Sequence, residues 1–404
     1  MANYKRAMVK QRKAYFKKHK TTKARNALLK RQRGKLKVLQ RRAAAACQSA
    51  DQRHSPPPPP MDETAALQAL VDSTRDGGTV ALKSRVYLVN GTLKIVGRSN
   101  LTIAGPAEIR SSTVGNGHRP NFRLTNGTRI AFRSLTIDGG YTRPGVHDTA
   151  IQWSHGIEIL GTAGVTITDS RIRNVAGDCV YAGLRSQRAT RVLVANLACE
   201  GTGRNGVSAV AVNGIRVEGG SYRRFGHIPF DVEPNPGAGF GVDGALFTGA
   251  TVGKYSGPVA FAIVGDGQAD NITFSNLLVT APRGAVARVV TVSPRRRSGI
   301  TYTNIVGTNP TDKPDAIRVQ RTDGLTVTDN TIPNGGGVML ACNDVTALSF
   351  GGNTPNTSSA CAPPATATAS TSSSTGTASA AFPSLYCSLG AGKLDQSGAC
   401  RSTE

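Results

Sequence analysis

The residues best suited to chemistry in this 404-residue chain fall between Glu158 and Asn235. In "GHIPFDVEPNPGAG", Gly226 to Gly239, Asp231 and Glu233 stand two places apart, and His227 precedes Asp231 by four. On a strand, positions i and i+2 share a face with Cα atoms about 6.5–7 Å apart, so the two carboxyls can reach the separations used by retaining or inverting glycosidases. One would stay protonated as general acid while the other activates water or attacks the sugar. An elimination would instead draw its base from Tyr181, His227 or an arginine, with a guanidinium neutralising a substrate carboxylate. The candidate catalytic residues are therefore Asp231, Glu233, Tyr181 and His227. The candidate substrate-binding residues are Asp178, Arg204, Asn205, Ser208, Arg223, Arg224 and Glu158. A purely structural reading stands beside this one: Glu-Pro-Asn also ends strands, with its carboxylate accepting backbone or arginine hydrogen bonds.

Such a set needs a scaffold, and the chain repeats one. An apolar-x-apolar core after a turn residue recurs as "LTI" at 101, "IAF" at 130, "VTI" at 165, "VLV" at 192, "IRV" at 215, "ALF" at 245, "ITF" at 272, "ITY" at 300, "LTV" at 325 and "VTA" at 345. These starts give nine intervals over 244 residues (345 − 101), a mean near 27. Four places after the first core residue stands a small or turn-forming residue: Ser134, Asp169, Asn196, Gly219, Gly249, Asn276, Asn304 and Asp329. A third strand follows in most copies, as in "GIEIL", "CVYAG", "GVSAV" and "FDVEP". Three short strands per copy, with no helix between them, describe the coil of a right-handed parallel β-helix. The expected fold is all-β: about ten coils stacked at about 4.8 Å, a short N-terminal capping helix, and disordered basic and Ser/Thr-rich tails. Setting Val180, Val207 and Val232 inward turns Tyr181, Ser208, Asp231 and Glu233 outward, with Asp178 and Asn205 at the preceding turn.

Charge and composition divide the chain. Residues 1–42 hold 17 Lys and Arg and no acid, leaving +7 of the formal +24 (24 − 17) for the rest. The expected organisation is a largely disordered basic arm at 1–54, a polyproline linker at 55–60, the β-helix at 61–353, and a low-complexity linker with a Cys-containing tail at 354–404. The arm suits nucleic acid or another anionic surface. No apolar run reaches the roughly 18 residues of a membrane-spanning helix, and no standard signal peptide is recognisable.

The seven cysteines lack CxxC spacing, so no metal site is expected from them. Cys179 and Cys199 read as buried thiols, while Cys361, Cys387 and Cys400 can pair in an oxidising compartment. His147, Asp148 and His155 belong to the longest coil, between 130 and 165, whose extra residues imply a protruding loop. "PRRR" at 294–297 suits either an acidic glycan or the decoration of a turn, and the turn is the simpler reading.

"DETAALQALVDSTRDGGTVAL", Asp62 to Leu82, resembles the first segment of pectate-lyase-like β-helix proteins, where a short amphipathic helix covers the end of the barrel. Its spacing agrees: Ala66, Leu67, Leu70 and Val71 share one face, Asp62 can cap the helix and Gly77 can stop it. "GDCVYAG", "RNGVSAV" and "FDVEPN" resemble successive coils of the same superfamily, which includes polysaccharide lyases, epimerases, glycoside hydrolases and phage tailspikes. The resemblance implies a polysaccharide lying along the outward face, with Ca2+ as the only cofactor it suggests and a homotrimer by analogy with tailspikes. It also implies an extracellular or virion-associated protein. The Asp-Pro-His-Asp/Glu motif of mannuronan epimerases and the clustered aspartates of polygalacturonases are not found. The resulting expectation is a polysaccharide-binding and polysaccharide-degrading protein, a lyase or glycoside hydrolase. The alternative is a non-catalytic attachment or tailspike-like protein whose basic arm contacts nucleic acid or another anionic partner.

Overall fold

The computed structural model describes residues 9–14, 22–53, 61–114, 117–184, 186–235, 241–257, 259–280, 289–292, 295–307, 315–333, 337–359, 361, 393–394 and 400–401. The polyproline linker at 55–60, most of the low-complexity tail and Cys387 lie outside these residues. The chain forms two compact units, Met1–Met61 and Asp62–Glu404. In the first, a helix spans Thr22–Arg53.

The second unit is a right-handed parallel β-helix of about nine turns. Its Val-, Ile- and Thr-rich segments favour extended backbone, and each is too short to bury its apolar side alone. Stacking solves this: Val192 pairs in register with Ile215, Ile215 with Ala245, and Ala245 with Ile272. A second sheet aligns Ile137, Ile172, Cys199, Tyr222, Val252 and Val279. A third aligns Leu93, Phe122, Ile157, Val180, Val207, Phe230, Phe261, Val289, Ile317 and Leu340. Inside the rod, Phe230, Phe247, Phe274 and Tyr302 follow one another at ring spacings of 5.0, 4.9 and 5.5 Å.

The turn between the first and second sheets explains the residue four places into each core. Ser134, Asp169, Asn196, Gly219, Gly249, Asn276, Asn304 and Asp329 all have positive φ, between 49° and 69°. Gly, Asn and Asp tolerate that left-handed conformation best. Their side chains also bond from coil to coil, as Asn304 Nδ2 does to Asn276 Oδ1 at 2.7 Å.

Three details of register differ from the sequence reading. Leu325 pairs with Leu348, so the last repeat starts at 348 and Val345 sits opposite Thr322. Val207 pairs with Phe230 rather than Val232, which moves Asp231 beside Ser208 and Glu233 one inward-outward step further on. Cys179 and Cys199 are not free thiols: both point into the core and form a disulfide between the third and second sheets. A second disulfide, Cys342–Cys361, and the Leu340–Ser358 bridge carry ordered contacts beyond residue 353.

The helix Thr64–Ser73 covers the N-terminal end with Leu67 and Val71 buried. Ala66 and Leu70, expected on the same face, are exposed, because two apolar residues one turn apart suffice to plug the opening. Asp62 Oδ1 accepts hydrogen bonds from the backbone N–H of Thr64 (2.9 Å) and Asn90 (3.0 Å). Gln68 bonds both ways with the backbone of Lys94, closing the first strand of the third sheet.

Candidate functional site

The outward positions of the third sheet read Arg123, Glu158, Tyr181, Ser208 and Asp231 on five consecutive rungs. Outward residues of a β-helix normally meet solvent, yet Glu158, Tyr181, Ser208 and Asp231 are all buried. The long coil between 138 and 157 lies over them. Its Trp153 meets His155 and Tyr181 edge-on at 6.1 and 6.3 Å, and His155 stacks on Tyr181 at 4.5 Å. Gly145 N donates to Thr202 O, and Ser256 Oγ donates to Gly145 O, fastening the loop to later coils.

At the turn before each of these strands, a side chain of one coil accepts the backbone N–H of the next. His155 Nδ1 takes the N–H of Asp178 at 3.0 Å, Asp178 Oδ1 takes that of Asn205 at 2.9 Å, and Asn205 Oδ1 takes that of Ile228 at 3.0 Å. A backbone N–H can only donate, so the His155 ring proton sits on Nε2. Burial holds this imidazole well below its ordinary pKa, opposed by the charge of Glu158 and assisted by Arg204.

Arg204 gathers the acids. Its Nη1 donates to Asp178 Oδ2 at 2.9 Å, its Nη2 to Glu233 Oε2, and Asp231 Oδ2 lies 4.0 Å from the same Nη2. Its guanidinium lies over Trp153, 5.5 Å from the ring centre. Burial works against the arginine's charge, but Asp178, Glu233 and Asp231 together hold it more firmly protonated than a free arginine. Asp231 also receives Asn205 Nδ2 at 2.8 Å, and Asn205 Nδ2 donates to Ser208 Oγ at 3.0 Å. Burial pushes the Asp231 carboxyl well above the usual carboxylate range, and the charge of Glu233 adds to the push against the pull of Arg204. Glu233 itself is about a third exposed, at 34% of its side chain. The two carboxyls thus occupy different environments: one is enclosed and favours its proton, the other is at the rim and paired with a cation.

Of the residues expected at the site, Asp231, Glu233, Tyr181, Asp178, Arg204, Asn205, Ser208 and Glu158 are brought onto this one face. His227 reaches it through Asn205, with Nδ1 3.2 Å from Oδ1, and stacks on His147 at 5.4 Å. Arg223 and Arg224 are not brought in: they lie on the second sheet, exposed, beside Glu200 at 2.8 and 3.9 Å. The burial of Tyr181 raises its phenol far above the ordinary value, which makes it a poor base at neutral pH. Asp148 pairs with Arg143 at the surface. Two of the "PRRR" arginines serve the scaffold: Arg296 pairs with Asp323 and Asp344, and Arg297 Nη2 donates to Gly265 O at 3.0 Å.

Sequence reasoning missed Arg123, His118 and Trp153. Both oxygens of Glu158 are engaged, one by His118 and the other by Arg123. A signal for Trp153 existed, since it is the chain's single tryptophan and falls in its longest coil. His118, His155 and Glu158 place ligand atoms within 4.8 Å of one another. Two imidazoles and one engaged carboxylate do not suit Ca2+, which takes oxygen ligands. The proton on His155 Nε2 likewise leaves that nitrogen without a lone pair for any metal.

No family model and no curated protein matches the chain. Among solved structures, the family 28 exopolygalacturonase of Yersinia enterocolitica superposes with a TM-score of 0.52 at 13% identity, covering 75% of each chain. The surface protein and adhesin PfbA of Streptococcus pneumoniae gives 0.49 at 13% identity, covering 72% of this chain and 93% of its own. A tailspike of the E. coli bacteriophage HK620 gives 0.49 at 12% identity, covering 74% of this chain and 63% of its own. The chain has the pectate-lyase-like parallel β-helix fold. At these identities the likeness is one of fold.

Proposed function

We propose that the chain binds an acidic or complex polysaccharide along the outward face of the third sheet and hydrolyses it, with Asp231 as general acid and Glu233 as the carboxylate that activates water. One observation carries this reading. Along this face, Arg123 Nη2, His155 Nε2 and Asp231 Oδ1 are buried without a hydrogen-bond partner among the described residues. A folded protein rarely leaves such groups unpaired, and each costs free energy until something meets it. Two donors and a carboxyl oxygen, spread over four rung intervals or about 19 Å, suit an extended polyhydroxylated ligand better than a small compact one.

The pair of carboxyls fits the chemistry. The glycosidic oxygen takes the Asp231 proton as the C1–O bond breaks, and water adds to C1 while Glu233 accepts its proton. Trp153, 40% exposed, offers an indole surface at the rim. Because Asp231 is only 2% exposed, the sugar reaches it when Trp153 and Arg204 part. An extracellular or virion setting, as the sequence resemblance implies, accompanies this reading.

A second reading is attachment without turnover. Its support is that His155, Asp178 and Asn205 are all engaged by backbone N–H groups, as a purely structural cluster would be. The deciding experiment is a glycan panel with mass readout. Saturated fragments gaining one water, and lost in both Asp231→Asn and Glu233→Gln, are expected. Unsaturated fragments would replace hydrolysis with elimination, and retention without fragments would leave attachment.

A further inference from the structure

We propose that the basic helix Thr22–Arg53 is a binding site for the phosphate backbone of duplex nucleic acid, read without regard to base sequence. Lys23, Lys30, Lys37 and Arg41 follow one line along the helix at spacings of seven, seven and four residues, which keeps them within a narrow arc. Lys30, Arg33 and Lys37 line a concavity together with Asn26, Leu29 and Gly34. The space above Gly34 is open, with no atom within 4 Å of where a Cβ would stand. All three cations are exposed, and no acid occurs anywhere in residues 1–42 to neutralise them.

The charge density matches that partner. Residues 22–42 carry nine Lys and Arg over about 30 Å of helix, roughly one per 3 Å, close to the phosphate spacing along one strand of a duplex. The opposite side of the helix argues against a bilayer. Leu28, Leu36 and Leu39 are already partly buried, and Gln32 among them is 4% exposed and accepts a hydrogen bond from Arg12 Nε at 3.3 Å. A helix lying on a membrane needs that apolar side free.

The test uses the full chain and mixed-sequence duplex DNA, with affinity followed from about 50 to about 200 mM salt. Log affinity should fall linearly with log salt. Replacing Lys30→Gln, Arg33→Gln and Lys37→Gln together should lower the slope by about 2.7 and the affinity by at least ~10-fold, equally for unrelated sequences. Glutamine keeps helix propensity, so unchanged circular dichroism would show that the charges and not the fold were removed. A slope unaffected by the triple substitution, no duplex binding at low salt, or tighter retention on phosphatidylserine vesicles than on DNA would overturn the proposal.

Discussion

Asp231 and Glu233 differ less in chemistry than in surroundings, and that difference can be measured. Asp231→Asn should cut glycan hydrolysis at least ~100-fold, the usual contribution of a positioned general acid, in an assay of released reducing ends. It should also change stability in a particular direction with pH. The folded-state pKa of Asp231 is raised above its ordinary 3.8, so its stabilising contribution is complete below that value and is lost as pH rises through the raised one. Thermal melts should therefore show Asp231→Asn gaining on the wild type as pH rises from 4 towards 8. His155 titrates with the opposite sign: its pKa lies well below 6.5, so folding loses stability as pH falls below that value. At this scale the sequence was informative about residue type and uninformative about enclosure. The i, i+2 spacing disclosed Asp231 and Glu233 as neighbours, but nothing local announced that Trp153, some eighty residues earlier, would lie over Arg204 and close the site.

Turns are the element that the sequence disclosed best. The small residues four places into each core all adopt positive φ, which Gly, Asn and Asp tolerate better than most side chains. Asn276→Val should accordingly destabilise the protein by about 1–3 kcal/mol, whereas Asn276→Gly should cost a few tenths, both read from urea unfolding. The disulfide was hidden for the converse reason. Cys179 and Cys199 both fall in apolar runs, and only the stacking register shows that the third strand of one coil starts beside the second strand of the next. Replacing both by alanine should cost about 2–4 kcal/mol, as for a closed loop of this length, again by urea unfolding. Arg223 and Arg224 were misplaced by a similar limit. Closeness to His227 along the chain does not carry them around the corner between two sheets.

The second unit is a stack in which, apart from the loop of the long coil, each coil meets mainly its neighbours, so its stability is distributed along the axis. The aromatic file through its centre is the strongest local contribution visible. Phe247→Ala should cost about 3–5 kcal/mol by removing a ring between two others, measured as a lowered unfolding midpoint. The repeat made this architecture legible, since ten apolar cores at a regular interval admit few alternatives. Their exact end was less so, because "VTA" at 345 imitates a core 20 residues after 325 (345 − 325), whereas the stacked partner of Leu325 is Leu348, 23 residues on (348 − 325). One consequence concerns how such a rod can change its length. Most coils are interchangeable, carrying an apolar triplet and a left-handed turn, and a coil there could be duplicated or deleted with the ladders simply rejoining. From Asp178 to Glu233 this freedom ends, because Arg204 reaches Asp178 on the coil before and Glu233 on the coil after, and Asn205 reaches Asp231, so these coils need one another's side chains. That stretch should behave as a fixed cassette within an otherwise extensible polymer.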